Sequence, residues 1–168
     1  MKQKVTALST ADISELSALG LDEFEHGLLV LSRHFLSGYE TYNTKAWNSA
    51  YIIAVERWGE RIGLPVAFAV MKLIETLSKT RTEGVSYLDP LRIEYKTVVT
   101  DDEAALMMML HHMRRDATAP ARDAVEALCS GVLEPNVIRA GLSLAARFSC
   151  GAPKSQFAEP SPQLSVVA

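Results

Sequence analysis

The predicted fold is built on the segment Thr44–Lys79, TKAWNSAYIIAVERWGERIGLPVAFAVMKLIETLSK. Its first half repeats large or apolar side chains at helical spacing, at Trp47, Tyr51, Ala54, Trp58 and Ile62. Gly63 suits the left-handed position just past a helix end, and Pro65 suits the first turn of the next helix. The sequence therefore predicts two helices that meet at a tight corner at Gly63–Leu64.

The second of these helices has more apolar surface than one buried stripe requires. Every residue from 64 to 71 is apolar. In helical projection Phe68 lies on the same arc as Lys72, away from the side that faces the core. Ile52 and Ile53 border the polar arc of the preceding helix. Because soluble proteins seldom leave such groups uncovered in one patch, the pattern predicts a contact surface at Ile52, Ile53 and Phe68.

Length, composition and charge favour one folded domain. A chain of 168 residues is long enough for a single core, and 48% hydrophobic with 22% charged residues is typical of globular proteins. The net charge of −3 creates no overall field that would attract a polyanion. The longest apolar run is far shorter than the roughly 20 residues that span a bilayer, and no apolar signal segment follows Lys2 and Lys4. We therefore expect a cytoplasmic protein with no membrane partner.

The remaining chain predicts five further helices, at about residues 11–19, 22–37, 100–115, 120–130 and 135–148. The clearest start signal is the capping box Thr100–Glu103, TDDE. The predicted fold is an all-α domain of six to seven helices over residues 10–149, packed orthogonally or as a bundle. Residues 1–9 are expected to be frayed, and 150–168, with three prolines, to form a disordered tail.

Residues 84–99 interrupt the helical pattern. Apolar or β-branched side chains alternate at Leu91, Ile93, Tyr95, Thr97 and Val99, which is the period of a strand with one buried face. Asp89–Pro90 can form a turn, so the sequence predicts a small β-hairpin at 84–99. The alternative is an extended connection that lies over the helices.

A second contact surface is predicted in MMMLHHM, residues 107–113. Met108, His111 and His112 project away from the core-facing side of the predicted helix. Met and His are also haem or copper ligands, but no C-x-x-C-H attachment motif accompanies them, and Met commonly fills irregular apolar gaps. We therefore predict an adaptable contact surface and no cofactor.

A metal centre is one alternative. Glu23 and His26 have the E-x-x-H spacing of one half of a carboxylate-bridged di-iron site, and His34 follows on the same predicted helix. The complete arrangement needs two such pairs, whereas this chain has one. Helical projection also turns these three residues away from the apolar stripe, which favours surface histidines.

DNA binding by a winged helix is the other alternative, since helix, corner, helix, hairpin and helix follow in the right order. The cationic side chains of Lys79, Arg81, Arg92 and Lys96 would then contact phosphates. The N-terminal turn of the supposed recognition helix, residues 66–69, is apolar and offers no group that can hydrogen-bond a base edge. This feature weighs against the alternative.

No catalytic motif is recognisable in the sequence, and the two cysteines, Cys129 and Cys150, are predicted to be free thiols. The hypothesis that best fits the pattern is a non-catalytic regulatory or adaptor protein. It would act through helix-surface contacts with a protein partner and associate with itself as a homo-oligomer. The winged-helix DNA regulator and the di-iron-like metal protein are the two alternatives.

Overall fold

The computed structural model describes residues 13–151, so the predictions for residues 1–9 and for most of the tail lie outside the described part. Its helices are α1 (Glu23–Thr41), α2 (Thr44–Thr80), α3 (Asp101–Met113), α4 (Thr118–Leu128) and α5 (Pro135–Arg147). Its strands are β1 (Ile13–Glu15) and β2 (Val98–Thr100), and 3-10 turns lie at Leu16–Leu19 and Ile93–Tyr95. The mostly helical fold is confirmed, with five α-helices in this part rather than six or seven.

Helix α1 is the most enclosed helix of the domain. Eleven of its nineteen residues are buried, including Arg33 and His34, because α2 packs along one side and α3 along another. The helix begins with a capping box in which Asp22 accepts a hydrogen bond from the Glu25 amide and Glu25 returns one to the Asp22 amide. A polar residue on α1 is therefore often an interior residue.

The corner within α2 lies at Gly59, so the prediction of a corner at Gly63–Leu64 is wrong. Gly59 has φ 72° and ψ 163°, a backbone conformation that suits glycine, while Pro65 lies inside the helix that follows. Gly63 serves a different purpose: a Cβ there would overlap with the carbonyl oxygen of Ala54. Gly63 therefore allows the chain after the corner to pack closely against the chain before it.

The corner divides α2 into two parts, which we call the first arm (residues 44–58) and the second arm (residues 60–80). The first arm packs against α1, where Gly38 makes room for the indole of Trp47 and Gly27 makes room for that of Trp58. The second arm buries one side in the core, at Gly63, Val66, Ala67, Val70, Leu73, Ile74 and Leu77.

The predicted hairpin at 84–99 does not form. Strand β2 pairs with β1 in an antiparallel two-stranded sheet, with Ile13 opposite Thr100 and Glu15 opposite Val98. Leu91 and Ile93 are each 83% exposed, so the alternation in this segment does not mark a buried face. The extended connection is the correct alternative, because the partner of β2 comes from the far N-terminal side of the chain.

The short helix predicted at residues 11–19 is also wrong where the structure describes it. Ile13–Glu15 is a strand and Leu16–Leu19 is a 3-10 turn. A helix of nine residues is marginal by itself, and pairing with β2 satisfies the same backbone groups. The capping box at Thr100 is confirmed at the start of α3, with both of its hydrogen bonds formed.

Candidate interaction surface

The outer side of the second arm carries large apolar groups that the other residues in 13–151 leave about half exposed. Leu64 is 44% exposed and Phe68 is 52% exposed. They lie one helical turn apart on the side opposite the buried residues of the arm. Glu60 and Lys72 continue the same row and are exposed as well. We call these four residues the outer row.

The two charged residues within the row have opposite signs. Glu60 lies at its beginning, whereas Lys72 and Lys79 lie toward its end. Lys72 Nζ is 2.7 Å from Glu75 Oε2, and Lys79 Nζ is 2.8 Å from Glu75 Oε1. Hydrogen bonds from Lys72 and Lys79 lower the pKa of Glu75 to about 2. Each end also has a neighbouring group of the other sign, since Arg61 is exposed beside Glu60 and Glu75 lies between the two lysines. Within the row itself, the apolar pair has the Glu60 carboxylate at one end and the Lys72 ammonium group at the other.

The predicted surface residues of the first arm differ in exposure. Ile52 is 57% exposed, while Ile53 is half-buried and packs against the core. Of the residues predicted on α2, Ile52 and Phe68 thus remain accessible. Leu64 was missed by the sequence interpretation because it was assigned to the corner, although its i−4 spacing from Phe68 is a usable signal.

The predicted surface on α3 is largely occupied within the chain. Met108 is half-buried against the core, and His111 Nδ1 lies 3.0 Å from Glu25 Oε2 of α1. His112 is half-buried with its ring edge-on to that of His111. Burial lowers the pKa of His112, and the neighbouring His111 and Arg115 lower it further.

His111 belongs to a charged cluster that joins α1 to the end of α3. Arg114 Nη1 and Arg115 Nη1 both donate to Glu25 Oε1 at 2.5 Å, and Arg114 Nη1 donates to Asp22 Oδ2 at 2.8 Å. We call Asp22, Glu25, His111, Arg114 and Arg115 the α1–α3 clasp. Glu25 is fully buried in it. These groups satisfy one another, which is the arrangement expected of a structural contact.

The clasp shifts the titration of its carboxylates. Burial by itself would raise the pKa of Glu25, but hydrogen bonds from Arg115, the Asp22 amide and His111 outweigh it and lower the pKa. Burial by itself would also raise the pKa of Asp22. Hydrogen bonds from the Glu25 amide and from Arg114 outweigh it, so the pKa of Asp22 is lowered as well. Both carboxylates are therefore held in the charged form.

A second buried ion pair lies further along α1. Arg33 Nε is 2.7 Å from Glu103 Oε1, and Arg33 Nη2 is 2.9 Å from Glu103 Oε2, which makes the pair bidentate. The guanidinium also donates to the carbonyl oxygens of Tyr95 and Val98, while Glu103 accepts from the Leu88 amide. The pair thus fixes the connection before α3. Sequence reasoning found Glu103 through its capping box but not Arg33.

The residues of the metal alternative are not brought together. Glu23 is exposed, His26 is half-buried, and His34 is only 6% exposed, so the expectation that His34 lies on the surface is wrong. Burial lowers the pKa of His34. Across residues 13–151 no group of three or more His, Cys, Asp or Glu side chains is arranged to hold a metal ion.

The cationic residues of the DNA alternative are dispersed and mostly paired. Arg81 donates to Asp102 Oδ1 and to the Leu128 carbonyl, and its side chain is only 13% exposed. Arg92 Nη1 lies 3.1 Å from a Glu94 carboxylate oxygen, and Lys79 pairs with Glu75 as described above. Lys96 is exposed. Since 84–99 forms no hairpin, the described part of the chain has no wing to accompany them.

A shallow cavity of about 180 Å³ lies where α3, α4 and α5 meet, and apolar side chains such as Met113, Val125 and Ile138 line it. A second depression of about 400 Å³ lies along α4, is open to solvent and is lined mostly by polar residues such as Arg122, Asp123 and Glu126. Sites for small molecules usually enclose roughly 300 Å³ or more and are mostly apolar. The first cavity is too small for such a site, and the second is too open and polar. The outer row is therefore the stronger candidate for a functional surface.

No family model, curated protein or solved structure matches this chain. None of the helices within residues 13–151 combines the length and the apolar character that a bilayer crossing requires. Functional inference therefore depends on the surface described above.

Proposed function

We propose that this protein is a non-catalytic regulatory or adaptor protein that associates with itself through the outer row of α2. The observation that carries the proposal is the exposure of Phe68, at 52%, one turn from Leu64, at 44%. A large aromatic beside a branched aliphatic side chain is the composition of an interface centre, since such groups contribute most of the buried area.

Ile52 is a further accessible apolar group, on the first arm, where it is 57% exposed. The charged residues around Leu64 and Phe68 form a polar border. An apolar centre with a polar border is the usual anatomy of a protein–protein contact. Such a contact would form or dissociate according to the concentration of the protein itself or to competition from a protein partner.

The test is the oligomeric state of the Phe68→Asp variant. We expect the wild-type chain to be a dimer by size-exclusion chromatography with light scattering. The variant should be a monomer, because an unpaired carboxylate would have to be buried in the apolar contact. A wild-type protein that remains monomeric at concentrations of about 100 μM, where even weak dimers form, overturns the proposal.

Leu142→Asp is the matched control. Leu142 is 50% exposed, close to the exposure of Phe68, but it belongs to α5 and not to the outer row. The control variant should keep the wild-type dimer. Equal loss of the dimer in both variants would show that any exposed acidic substitution disturbs assembly, which also contradicts the proposed role of the outer row.

A further inference from the structure

The residues of the outer row are evenly spaced, and this spacing constrains the orientation of a molecule that binds to the row. Glu60, Leu64, Phe68 and Lys72 follow at four-residue intervals, and all are exposed. With a rise of 1.5 Å per residue, Glu60 and Lys72 lie about 9 Å on either side of the midpoint of the row. A carboxylate and an ammonium group therefore flank the apolar pair at equal distances.

This spacing makes the outer row complementary to that of a second copy only when the two copies run antiparallel. When two copies cross antiparallel about the midpoint, Leu64 meets Phe68 of the second copy and Glu60 meets Lys72 of the second copy. A two-fold axis repeats both contacts. When two copies lie parallel, Glu60 faces Glu60 and Lys72 faces Lys72, and these like charges repel.

We propose that the occupant of the outer row is a second copy of this chain in antiparallel orientation, with reciprocal Glu60–Lys72 ion pairs that set the register. The inference rests on the proposed self-association and specifies its geometry. The ion pairs lie at the border of the contact, where charges mainly determine orientation and specificity.

Both charged groups are accessible for these pairs. Glu60 is exposed at the start of the second arm. Lys72 pairs with Glu75 in its own copy, yet its side chain is 53% exposed. An ammonium group has three donor hydrogens, so it can bind a second carboxylate while it keeps the first.

The experiment reverses each charge separately and then both together. Glu60→Lys and Lys72→Glu should each weaken the dimer roughly ten-fold at low salt, because each turns two attractive pairs into two repulsive ones. The double variant Glu60→Lys/Lys72→Glu should return to the wild-type affinity, since its reciprocal pairs are restored with the signs exchanged. Sedimentation equilibrium measures all four dissociation constants.

A parallel pairing gives a different pattern. There each single reversal exchanges one like-charge contact for another, so the dissociation constants would stay at the wild-type value. That outcome, or a double variant as weak as the single variants, overturns the antiparallel geometry but retains the proposed self-association. A monomeric wild-type chain overturns both.

Thermal unfolding followed by circular dichroism controls for folding, because exposed charge reversals should leave the melting temperature of the monomer nearly unchanged. The single-variant losses should also shrink at about 1 M salt, where the screening length falls to about 3 Å. Single-variant losses that stay the same at high salt contradict an electrostatic origin and overturn the inference.

Discussion

The α1–α3 seam, which consists of the clasp and the Arg33–Glu103 pair, buries charged residues, whereas the outer row of α2 exposes apolar residues. In the seam, Glu25 and Glu103 are at most 1% exposed and are hydrogen-bonded to arginines. On the outer row, Phe68 remains 52% exposed among residues 13–151. The buried carboxylates and guanidinium groups of the seam are paired with one another, whereas the apolar groups of the outer row are left accessible.

This difference supports the proposal that the outer row, and not the seam, is the contact surface. Buried charges cost free energy unless they are paired, and the seam pairs them, so the seam is explained by the fold itself. Exposed Leu64 and Phe68 contribute little to the fold from the outer side of the helix. Their exposure is accounted for if a second molecule covers them.

The largest expected effect is on the seam. Glu103→Ala should lower the free energy of unfolding by about 3–5 kcal/mol, because it leaves the guanidinium of Arg33 buried without its carboxylate. Urea denaturation measures this change. Glu126→Ala, which removes an exposed carboxylate from α4, should change stability by less than about 0.5 kcal/mol.

The double variant Arg33→Met/Glu103→Gln separates charge from packing in the same pair. It removes both charges, while the Gln oxygen can still accept a backbone hydrogen bond. We expect a smaller loss of stability than in Glu103→Ala, since no buried charge is left unpaired. A double variant less stable than Glu103→Ala would contradict the view that unpaired charge is the main cost.

An intermediate effect is expected where α1 packs against the first arm of α2. Gly38→Ala places a methyl group where the Trp47 indole packs, and the rigid ring must move, so we expect a loss of about 1–3 kcal/mol in the free energy of unfolding. The control is Gly141→Ala on α5. Its Cβ would meet the flexible Met113 side chain, at 2.7 Å from Sδ, and should cost less. Equal losses in both variants would argue against a specific role of the indole.

The smallest expected effect is the pH dependence of the clasp. Asp22 and Glu25 have lowered pKa values in the folded chain, so their stabilising contribution is present above the ordinary carboxyl range and is lost as pH falls through the folded values. Unfolding free energies measured from pH 5 to about pH 2 should therefore decrease with acid, and the slope should be smaller in Glu25→Gln.

Salt distinguishes the clasp from the exposed pairs of α2. Glu75 also has a lowered pKa, but it lies among exposed lysines, so the contribution of Glu75 to the acid slope should fade at about 0.5 M salt. The contribution of Glu25, which is fully buried, should persist. A Glu25→Gln variant with the full wild-type slope at low and high salt would contradict the structural role of the clasp.

Local signals in the sequence predicted much of the secondary structure. The periodic apolar residues and the capping box at Thr100 gave the helical class and the start of α3, because these features act over one or two helical turns. The projection of α2 also placed Phe68 on the outer side correctly. A second capping box, Asp22 with Glu25, was visible by the same spacing but was not recognised.

Long-range contacts account for the predictions that were wrong. The sequence predicts the corner at Gly63 because Pro65 follows it. Of the two glycines in α2, however, Gly59 has a positive φ and Gly63 does not. The hairpin at 84–99 was inferred from alternation, but β2 pairs with a strand more than 80 positions earlier in the chain. Neither the position of the corner nor the partner of β2 can be determined from the residues that are adjacent in sequence.

The amino-acid pattern alone located the α-helical segments of residues 13–151, apart from the wrong helix at 11–19, and the main apolar side of each, since both depend largely on neighbours within a few residues. Only the tertiary structure determined that Glu25, Arg33 and Glu103 lie inside, because their burial requires partners from helices distant in sequence. It also determined that Leu64 and Phe68 remain accessible among residues 13–151, since their exposure depends on which of these elements pack beside them.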